Sequence, residues 1–177
     1  MDYYGRYLRY VYVTPPNGSK IHVNLEMVRE GYAHAFIFSN NLKYRDQFFA
    51  AEAEAREAER IIWQRAEQNV SIIDIFANEG ASGPNGEYAV IKNNENTTID
   101  MRHWRLKDQS WHAYDFPPIE IPPGGEVRIY SGEGVDTNTS LYWDFGGTVW
   151  NDGGEVAFLR NPAGYLASFY EYGNRIQ

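Results

Sequence analysis

The chain has 177 residues, 43% of them hydrophobic and 23% charged, and it has no cysteine, which excludes a disulfide framework and a thiolate metal site in this globular composition. No run approaches the roughly 18 consecutive apolar residues of a membrane-spanning helix, and the first residues lack the apolar core of a signal peptide. The formal charge of −8 lies entirely after Gln68. Residues 1–68 hold nine basic and nine acidic side chains, whereas residues 69–177 hold seven basic and fifteen acidic ones. Because acidic surfaces repel phosphate, any nucleic-acid contact is predicted for residues 1–68.

The first predicted elements are a strand and a short helix. Tyr7–Val13 is aromatic and β-branched and is followed by a Pro-Pro-Asn-Gly turn, a pattern typical of a strand that ends in a turn. Asn24 is a residue type that caps helices, and Gly31 permits a left-handed stop. A helix is therefore expected over residues 25–30.

A longer helix is predicted over Tyr44–Trp63. Its apolar residues recur at spacings of 4, 3, 4, 3 and 4 and so form one stripe, while charged residues occupy the opposite face. On that face Glu52 and Arg56 stand four residues apart, in the order that favours an ion pair. Alanine along a short stripe favours packing against a domain surface over the alternative of a coiled coil.

The remaining residues predict an all-β sandwich. Short runs of β-branched and aromatic residues alternate with turns rich in Gly, Pro and Asn, which is the spacing of a sandwich. The predicted strands are 70–76, 87–92, 99–106, 126–130, 148–150, 156–160 and 165–170. We therefore predict two domains, residues 1–68 and residues 69–177.

Three blocks of the first domain match a known enzyme family in the same order. The blocks are Asp2–Val11, Val23–Ala33, and Ala51–Ala58 with Trp63. This part resembles the carboxy-terminal half of a staphylococcal-type thermonuclease domain. The resemblance implies an α+β portion of a five-stranded OB-fold barrel, Ca²⁺ as the cofactor, and hydrolysis of DNA and RNA phosphodiester bonds.

The resemblance also implies roles for two residues of the first block. Arg6 falls on the catalytic arginine of the family, and a guanidinium can donate paired N–H bonds to phosphate and stabilise the charge of the transition state. Without the surrounding motif, a surface ion pair with Asp2 would be the alternative for Arg6. Tyr4 resembles a substrate-binding position near the nucleotide, where a phenol could donate to phosphate or stack on a base. Packing within the barrel is an equal alternative for Tyr4.

The acids that would complete such a site are not matched. In the family, the aspartates that hold calcium and the glutamate proposed as general base precede the first block. Most acids of residues 1–68 lie on helix faces predicted to be exposed, and none replaces that set by motif. One strand and two helices cannot close a barrel either, which leaves Tyr7–Val13 with open edges. We therefore expect a fragment of the nuclease domain that does not cleave nucleic acid by itself.

The second domain matches another family over nearly its whole length. The main matching blocks are Gly86–Asn93, Trp104–Asp108, Ile121–Glu126 and Val149–Leu159. They resemble the lamin tail domain, an immunoglobulin-like sandwich that follows nucleases in many bacterial proteins and occurs in nuclear lamins. His103 stands where the family commonly has glycine, so a different local turn is expected. Trp104 and Trp150 are predicted to pack in the core and turns.

No metal site is predicted from the residues of the second domain. The histidines lack metal-ligand spacing. Asp136–Ser140 has oxygen side chains at alternate positions, but the glycine and the final acid of a calcium loop are absent. A polar turn is the expected structure.

Two functions remain open. The first is part of a bacterial secreted or cell-surface nuclease, whose first module handles nucleic acid and whose lamin-tail module is an accessory for an unknown protein or cell-envelope partner. The second is a non-catalytic binding or tethering protein. The acidic lamin-tail module itself is expected to bind DNA weakly or not at all, because its charge opposes binding at phosphate.

Overall fold

A computed structural model describes residues 5–37, 42–77 and 80–174. They form two compact units, the first from residues 5–35 and 42–64 and the second from residues 65–174 with Phe36 and Ile37. The first unit is a small α+β segment and the second is an all-β sandwich, so the predicted fold class is confirmed. None of the helices in these ranges is both long and apolar enough to cross a membrane.

The first unit starts with a small antiparallel hairpin. Strand β1 (Tyr12–Val13) pairs with β2 (Ile21–His22) across the loop 14–20, in which the N–H of Gly18 bonds to the carbonyl of Pro15 at 2.9 Å. The predicted strand over Tyr7–Val13 is too long, since only its last two residues pair with another strand. The backbone before them bonds instead to the start of the first helix, where the carbonyl of Val11 accepts the N–H of Val23 at 2.9 Å.

Two helices complete the secondary structure of this unit, α1 (Val23–Arg29) and α2 (Arg45–Glu57). Helix α1 confirms the predicted short helix, and Gly31 has the left-handed φ of 77° expected after its end. The predicted cap is wrong, because His22 occupies the N-cap position and Asn24 lies within the helix.

Helix α2 ends six residues before the predicted end at Trp63. Glu59 and Ile61 have positive φ values of 51° and 42°, so the chain leaves the helical path there and forms a short 3₁₀ turn, Ile61–Trp63. The change places Trp63 in the interior and lets the N–H of Ile62 bond to the carbonyl of Gly31. Tertiary packing therefore overrides the helical periodicity. The predicted stripe is confirmed in its centre, where Phe48, Ala51 and Ala55 are buried.

The second unit contains ten strands within its described residues. They are β3 (Val70–Phe76), β4 (Tyr88–Asn93), β5 (Ile99–Asp100), β6 (Arg105–Lys107), β7 (Ala113–Asp115), β8 (Glu120–Ile121), β9 (Glu126–Tyr130), β10 (Ser140–Tyr142), β11 (Gly154–Arg160) and β12 (Leu166–Gly173). One sheet has the order β10-β9-β4-β3 and the other β12-β11-β6-β7, while β5 pairs with β8. Only β10 runs parallel to its neighbour, β9.

The core lies between the two sheets and contains the alternating apolar residues of both. It includes Ile72, Ile91, Leu106, Ile129, Leu141 and Leu159. Trp104 and Trp150 are buried in the same core, which confirms their predicted packing role.

Two predicted strands differ from the structure. The run 99–106 is divided into β5 and β6 by a turn in which the N–H of Trp104 bonds to the carbonyl of Met101. Residues 148–150 form no strand, because the N–H groups of Val149 and Trp150 bond to the buried carboxylate of Glu87. Three very short strands, β7, β8 and β10, were not predicted.

Candidate functional site

Arg6, the residue predicted to contact phosphate, lies on an exposed segment that leads towards β1. It follows Gly5, whose φ of 76° is left-handed. Tyr4, predicted to lie near the nucleotide, falls outside the described residues. The structure thus places one of the two predicted site residues, on the surface of the first unit.

The side chain of Asn24 holds the backbone that follows Arg6. Its Oδ1 accepts the N–H of Val11 at 2.7 Å, and its Nδ2 donates to the carbonyl of Arg9 at 3.5 Å. Because Asn24 belongs to α1, these two hydrogen bonds tie residues 9–11 to a helix. Asn24, which was predicted to cap the helix, therefore stabilises the neighbouring backbone instead.

Aromatic rings pack behind this segment. Tyr12 lies 4.7 Å from His22 and Tyr10 lies 4.8 Å from Tyr44, measured between ring centroids, and Phe48 packs against His22 at 5.5 Å. The hydroxyl of Tyr12 donates to that of Tyr44 at 2.9 Å, which raises the pKa of Tyr12 and lowers the pKa of Tyr44. Burial lowers the pKa of His22, so its neutral form is favoured.

Basic side chains lie over three tyrosine rings of the first unit. The pairs, with the distance from charge to ring centroid, are Arg9 over Tyr7 at 4.7 Å, Lys20 over Tyr12 at 4.3 Å and Lys43 over Tyr44 at 4.9 Å. The sequence between Arg6 and Leu25 contains no acidic residue. Cations held beside aromatic rings are typical of surfaces that bind single-stranded nucleic acid, since phosphates pair with the cations. We call Arg6 and these six residues the basic-aromatic surface.

Two acids of the first unit pair with arginines other than Arg6. Glu26 forms an ion pair with Arg29, and Glu54 lies 2.8 Å from Arg60. Within the described ranges, no three His, Asp or Glu side chains form a group that could hold a metal. Because calcium takes six to eight oxygen ligands, the donors seen in this unit do not fit a calcium ion.

Glu52 differs from the sequence prediction, which placed it on the exposed face of α2. Its side chain is 1% exposed, and its Oε1 accepts the N–H of Ala35 at 2.7 Å. The carboxylate therefore holds a loop that is 17 residues away in sequence. The neighbours of Glu52 in the sequence are alanines and charged residues, so no periodic pattern distinguishes a buried glutamate from an exposed one at this position.

A second buried carboxylate organises the sandwich. Oε1 of Glu87 accepts the N–H of Val149 at 2.6 Å, the N–H of Trp150 at 3.1 Å and the hydroxyl of Ser131. Burial raises the pKa of Glu87, although these hydrogen bonds act in the opposite direction. Glu87 thus fixes the loop that the sequence pattern had predicted as a strand.

Two more acids are buried near the end of the sandwich. Glu155 accepts the N–H of Asn151 at 2.9 Å, and burial raises the pKa of Glu155 to about 7. Asp108 bonds to Nδ1 of His112 at 2.5 Å, and burial raises its pKa too. No role was predicted for either acid, although both lie within blocks that resemble the lamin tail domain.

The Asp136–Ser140 segment is a polar turn, as predicted. Oδ1 of Asp136 accepts the N–H of Tyr142 at 2.9 Å, and the hydroxyl of Thr137 accepts the N–H of Ser140 at 3.0 Å. These local hydrogen bonds account for the alternating oxygen side chains.

Comparison with known families matches both units. The sequence model described as Lamin Tail Domain matches residues 64–174, which is more than half of the chain. The model described as Staphylococcal nuclease homologue matches residues 1–65. Both predicted resemblances are thereby confirmed.

A relative of this chain occurs in the archaeon Methanocaldococcus jannaschii. It is an uncharacterized protein that is 37% identical over 62 residues, which is 35% of this chain and 28% of the relative. The chain thus spans little more than a quarter of the length of that relative.

Proposed function

We propose that this chain, which belongs to the lamin tail domain family, binds nucleic acid through its nuclease-like first unit and uses its second unit as a binding or tethering accessory. The observation that carries the proposal is the basic-aromatic surface. It combines the exposed Arg6 with tyrosine rings that lie under basic side chains, and the sequence between Arg6 and Leu25 contains no acid.

The role proposed for Arg6 is contact with a phosphate. A guanidinium offers parallel N–H donors that match phosphate oxygens, and the two hydrogen bonds of Asn24 hold the nearby backbone in one position. Tyr4 is proposed to lie beside the same nucleotide, by its place in the family motif.

Hydrolysis is proposed for the complete protein, with calcium as the cofactor and water as the attacking group. The described residues of this chain supply a guanidinium but no fitting calcium ligands. We therefore propose that this chain alone binds nucleic acid without cleaving it. The same observation favours the second candidate, a protein that binds or tethers and has no catalytic role.

Binding can be tested with a fluorescein-labelled single-stranded 12-mer of thymidylate in anisotropy titrations of the full chain at several salt concentrations. Arg6→Ala should weaken binding and reduce the slope of log affinity against log salt by roughly one, because one phosphate contact is lost. The matched control is Arg102→Ala, which removes an exposed arginine of the second unit. An equal effect of the two substitutions, or none of Arg6→Ala, would contradict the role of Arg6.

Cleavage is tested separately with 5′-labelled single- and double-stranded DNA and RNA in calcium chloride. We expect the wild-type chain and Arg6→Ala to release no product above the buffer control. Robust calcium-dependent cleavage that Arg6→Ala abolishes would show that the chain is a complete nuclease.

A further inference from the structure

Four aromatic side chains form a row across the sheet β10-β9-β4-β3. Phe76, Tyr88, Tyr130 and Tyr142 are direct neighbours in the register of the four strands. Their ring centroids are separated successively by 5.5, 5.4 and 5.2 Å. We call these four residues the aromatic row.

The aromatic row lies on the outer face of the sheet. The adjacent residues along each strand, Ile75, Ala89, Ile129 and Leu141, are buried in the sandwich core. Because side chains alternate between faces along a strand, the row points away from that core. Phe76 is 45% exposed, and the three tyrosines are half-buried.

The rings offer both apolar faces and polar groups. The planes of Phe76 and Tyr88 differ by 18°, and their centroid separation exceeds the contact distance of roughly 3.5–4.0 Å, so the rings overlap only partly, like tiles. Tyr130 and Tyr142 have the same arrangement, with planes 20° apart. In the part of the chain that the structure describes, the three tyrosine hydroxyls form no hydrogen bond and are available to a ligand.

The charges of this outer face balance. The next row of the same face contains Asp74 and Arg128, and Arg128 lies 5.5 Å from the ring of Tyr88. Beyond it, Lys92 and Glu126 form an ion pair at 2.9 Å. A balanced face matches an uncharged ligand better than a polyanion or a polycation.

Carboxylates stand at one end of the aromatic row. Tyr142 lines an open cleft of about 940 Å³ together with Glu133, Asp136 and Asp144. Carboxylates accept hydrogen bonds from hydroxyl groups, and they repel phosphate. The surroundings of the row therefore favour a ligand that is neutral and rich in hydroxyl groups.

We propose that the aromatic row binds an extended neutral oligosaccharide. The C–H faces of the sugar rings would pack on the aromatic rings, and the sugar hydroxyls would bond to the phenols and to the carboxylates beside Tyr142. Neighbouring ring centroids of the row are 5.2–5.5 Å apart, which is close to the length of one sugar in an extended chain. This proposal deepens the accessory role proposed above for the second unit by naming the chemistry of its ligand.

The test is a calorimetric titration of the full chain with two neutral β-1,4-linked hexasaccharides, one of glucose and one of N-acetylglucosamine. We expect saturable binding of at least one. Phe76→Ala should weaken that binding roughly tenfold, which is the effect of losing one stacking platform. The matched control is Tyr165→Ala, which removes an exposed tyrosine of the same unit that lies outside the row.

A more conservative substitution distinguishes a loss of binding from a loss of folding. Tyr130→Phe keeps the ring and removes one hydroxyl, and it should weaken binding severalfold while the thermal transition is unchanged. Binding that neither substitution alters would overturn the proposal. So would the absence of binding to both sugars, or tighter binding of decaproline or of the thymidylate 12-mer than of either sugar.

The outcome is independent of the nucleic-acid test. Loss of DNA binding in Arg6→Ala concerns the first unit and leaves the sugar titration unchanged. Failure of the sugar titration would leave the assignment of Arg6 unaffected.

Discussion

The two units treat their apolar strand surfaces in opposite ways. In the first, the two-stranded sheet β1-β2 and the segment before it have large exposed apolar side chains, among them Leu8, Val11 and Val13. In the second, two four-stranded sheets cover each other and enclose a continuous core. A two-stranded sheet is marginal in water, and an open edge pairs readily with another chain. The sandwich therefore buries its apolar strand surfaces between its own sheets, whereas the hairpin exposes a surface suited to association.

Each unit uses one buried glutamate to hold backbone from a distant part of the chain, Glu52 for Ala35 and Glu87 for Val149 and Trp150. Such carboxylates replace the strand pairing that a loop lacks. Since each is surrounded by closely packed residues, its removal leaves N–H groups without an acceptor.

The largest expected effect is that of Glu87→Ala. It leaves two buried N–H groups and the Ser131 hydroxyl without their acceptor, and each such group costs about 1–3 kcal/mol, so the free energy of unfolding of the second unit should fall by at least about 3 kcal/mol. Urea unfolding, monitored by amide hydrogen exchange in β4 and β9, measures this loss of free energy. The matched control is Glu126→Ala, which breaks an exposed ion pair and should cost less than about 1 kcal/mol. A loss below that level for Glu87→Ala would show that the loop is held by other contacts.

The same residues show how far sequence reasoning reaches. The two families, the sandwich, α1 and the centre of the α2 stripe could be predicted, because they depend on periodicity and on ordered motifs. The roles of Glu52, Glu87 and Asn24 could not, since each depends on a partner brought close only by tertiary folding. The early end of α2 was missed for the same reason, as the burial of Trp63 outweighs the local helical pattern. The aromatic row was invisible as well, because it requires the register of four strands.

The next effect is the response of the second unit to pH. Burial raises the pKa of Glu155 from 4.5 to about 7, so its contribution to stability is fully present below pH 4.5 and is lost as the pH rises through 7. The second unit should thus lose up to about 3 kcal/mol between pH 4.5 and pH 8. The raised pKa values of Glu87 and Asp108 act in the same direction, whereas the lowered pKa of Asp115, which pairs with Arg105 at the surface, acts in the opposite direction.

The first unit should respond with the opposite sign. Burial lowers the pKa of His22, so the stability that its neutral form provides is present above pH 6.5 and is lost as the pH falls through the lower, folded-state value. Hydrogen exchange at pH 5.5 and 7.5, corrected for intrinsic rates, reports both units in one sample. Glu155→Gln should flatten the response of the second unit alone. A parallel response of the two units would contradict the assignment of these groups.

A smaller effect is expected at the open edge of the hairpin. The N–H of Val23 bonds to Val11, and the antiparallel alternation then directs the backbone of Tyr12 to the opposite side, where no strand pairs among the described residues. The full chain should therefore self-associate weakly. Val11→Lys places a charge beside this edge and should raise the dissociation constant roughly tenfold.

Sedimentation equilibrium at several protein concentrations measures this association. The control is Tyr32→Lys, which adds the same charge at an exposed position of the same unit outside the hairpin. Equal weakening by both substitutions would mean that net charge, and not the edge, governs association.

The smallest effect concerns a turn of the sandwich, where His103 has a φ of 65°. The resemblance to the family implies glycine at this position, and here the backbone is left-handed although the residue carries a side chain. The turn from Met101 to Trp104 is closed by a hydrogen bond of 2.9 Å, with His103 at the third position, where a type II turn requires positive φ. His103→Gly should raise the free energy of unfolding by about 1 kcal/mol, because the side chain no longer opposes this conformation. Arg102→Gly, one position earlier, should lower it by about 0.5–1 kcal/mol through the greater freedom of the unfolded chain. Changes in the free energy of unfolding that have opposite signs at these two adjacent, exposed positions would establish that backbone conformation is the cause. A destabilising His103→Gly would show that the imidazole stabilises the fold by more than its backbone strain costs.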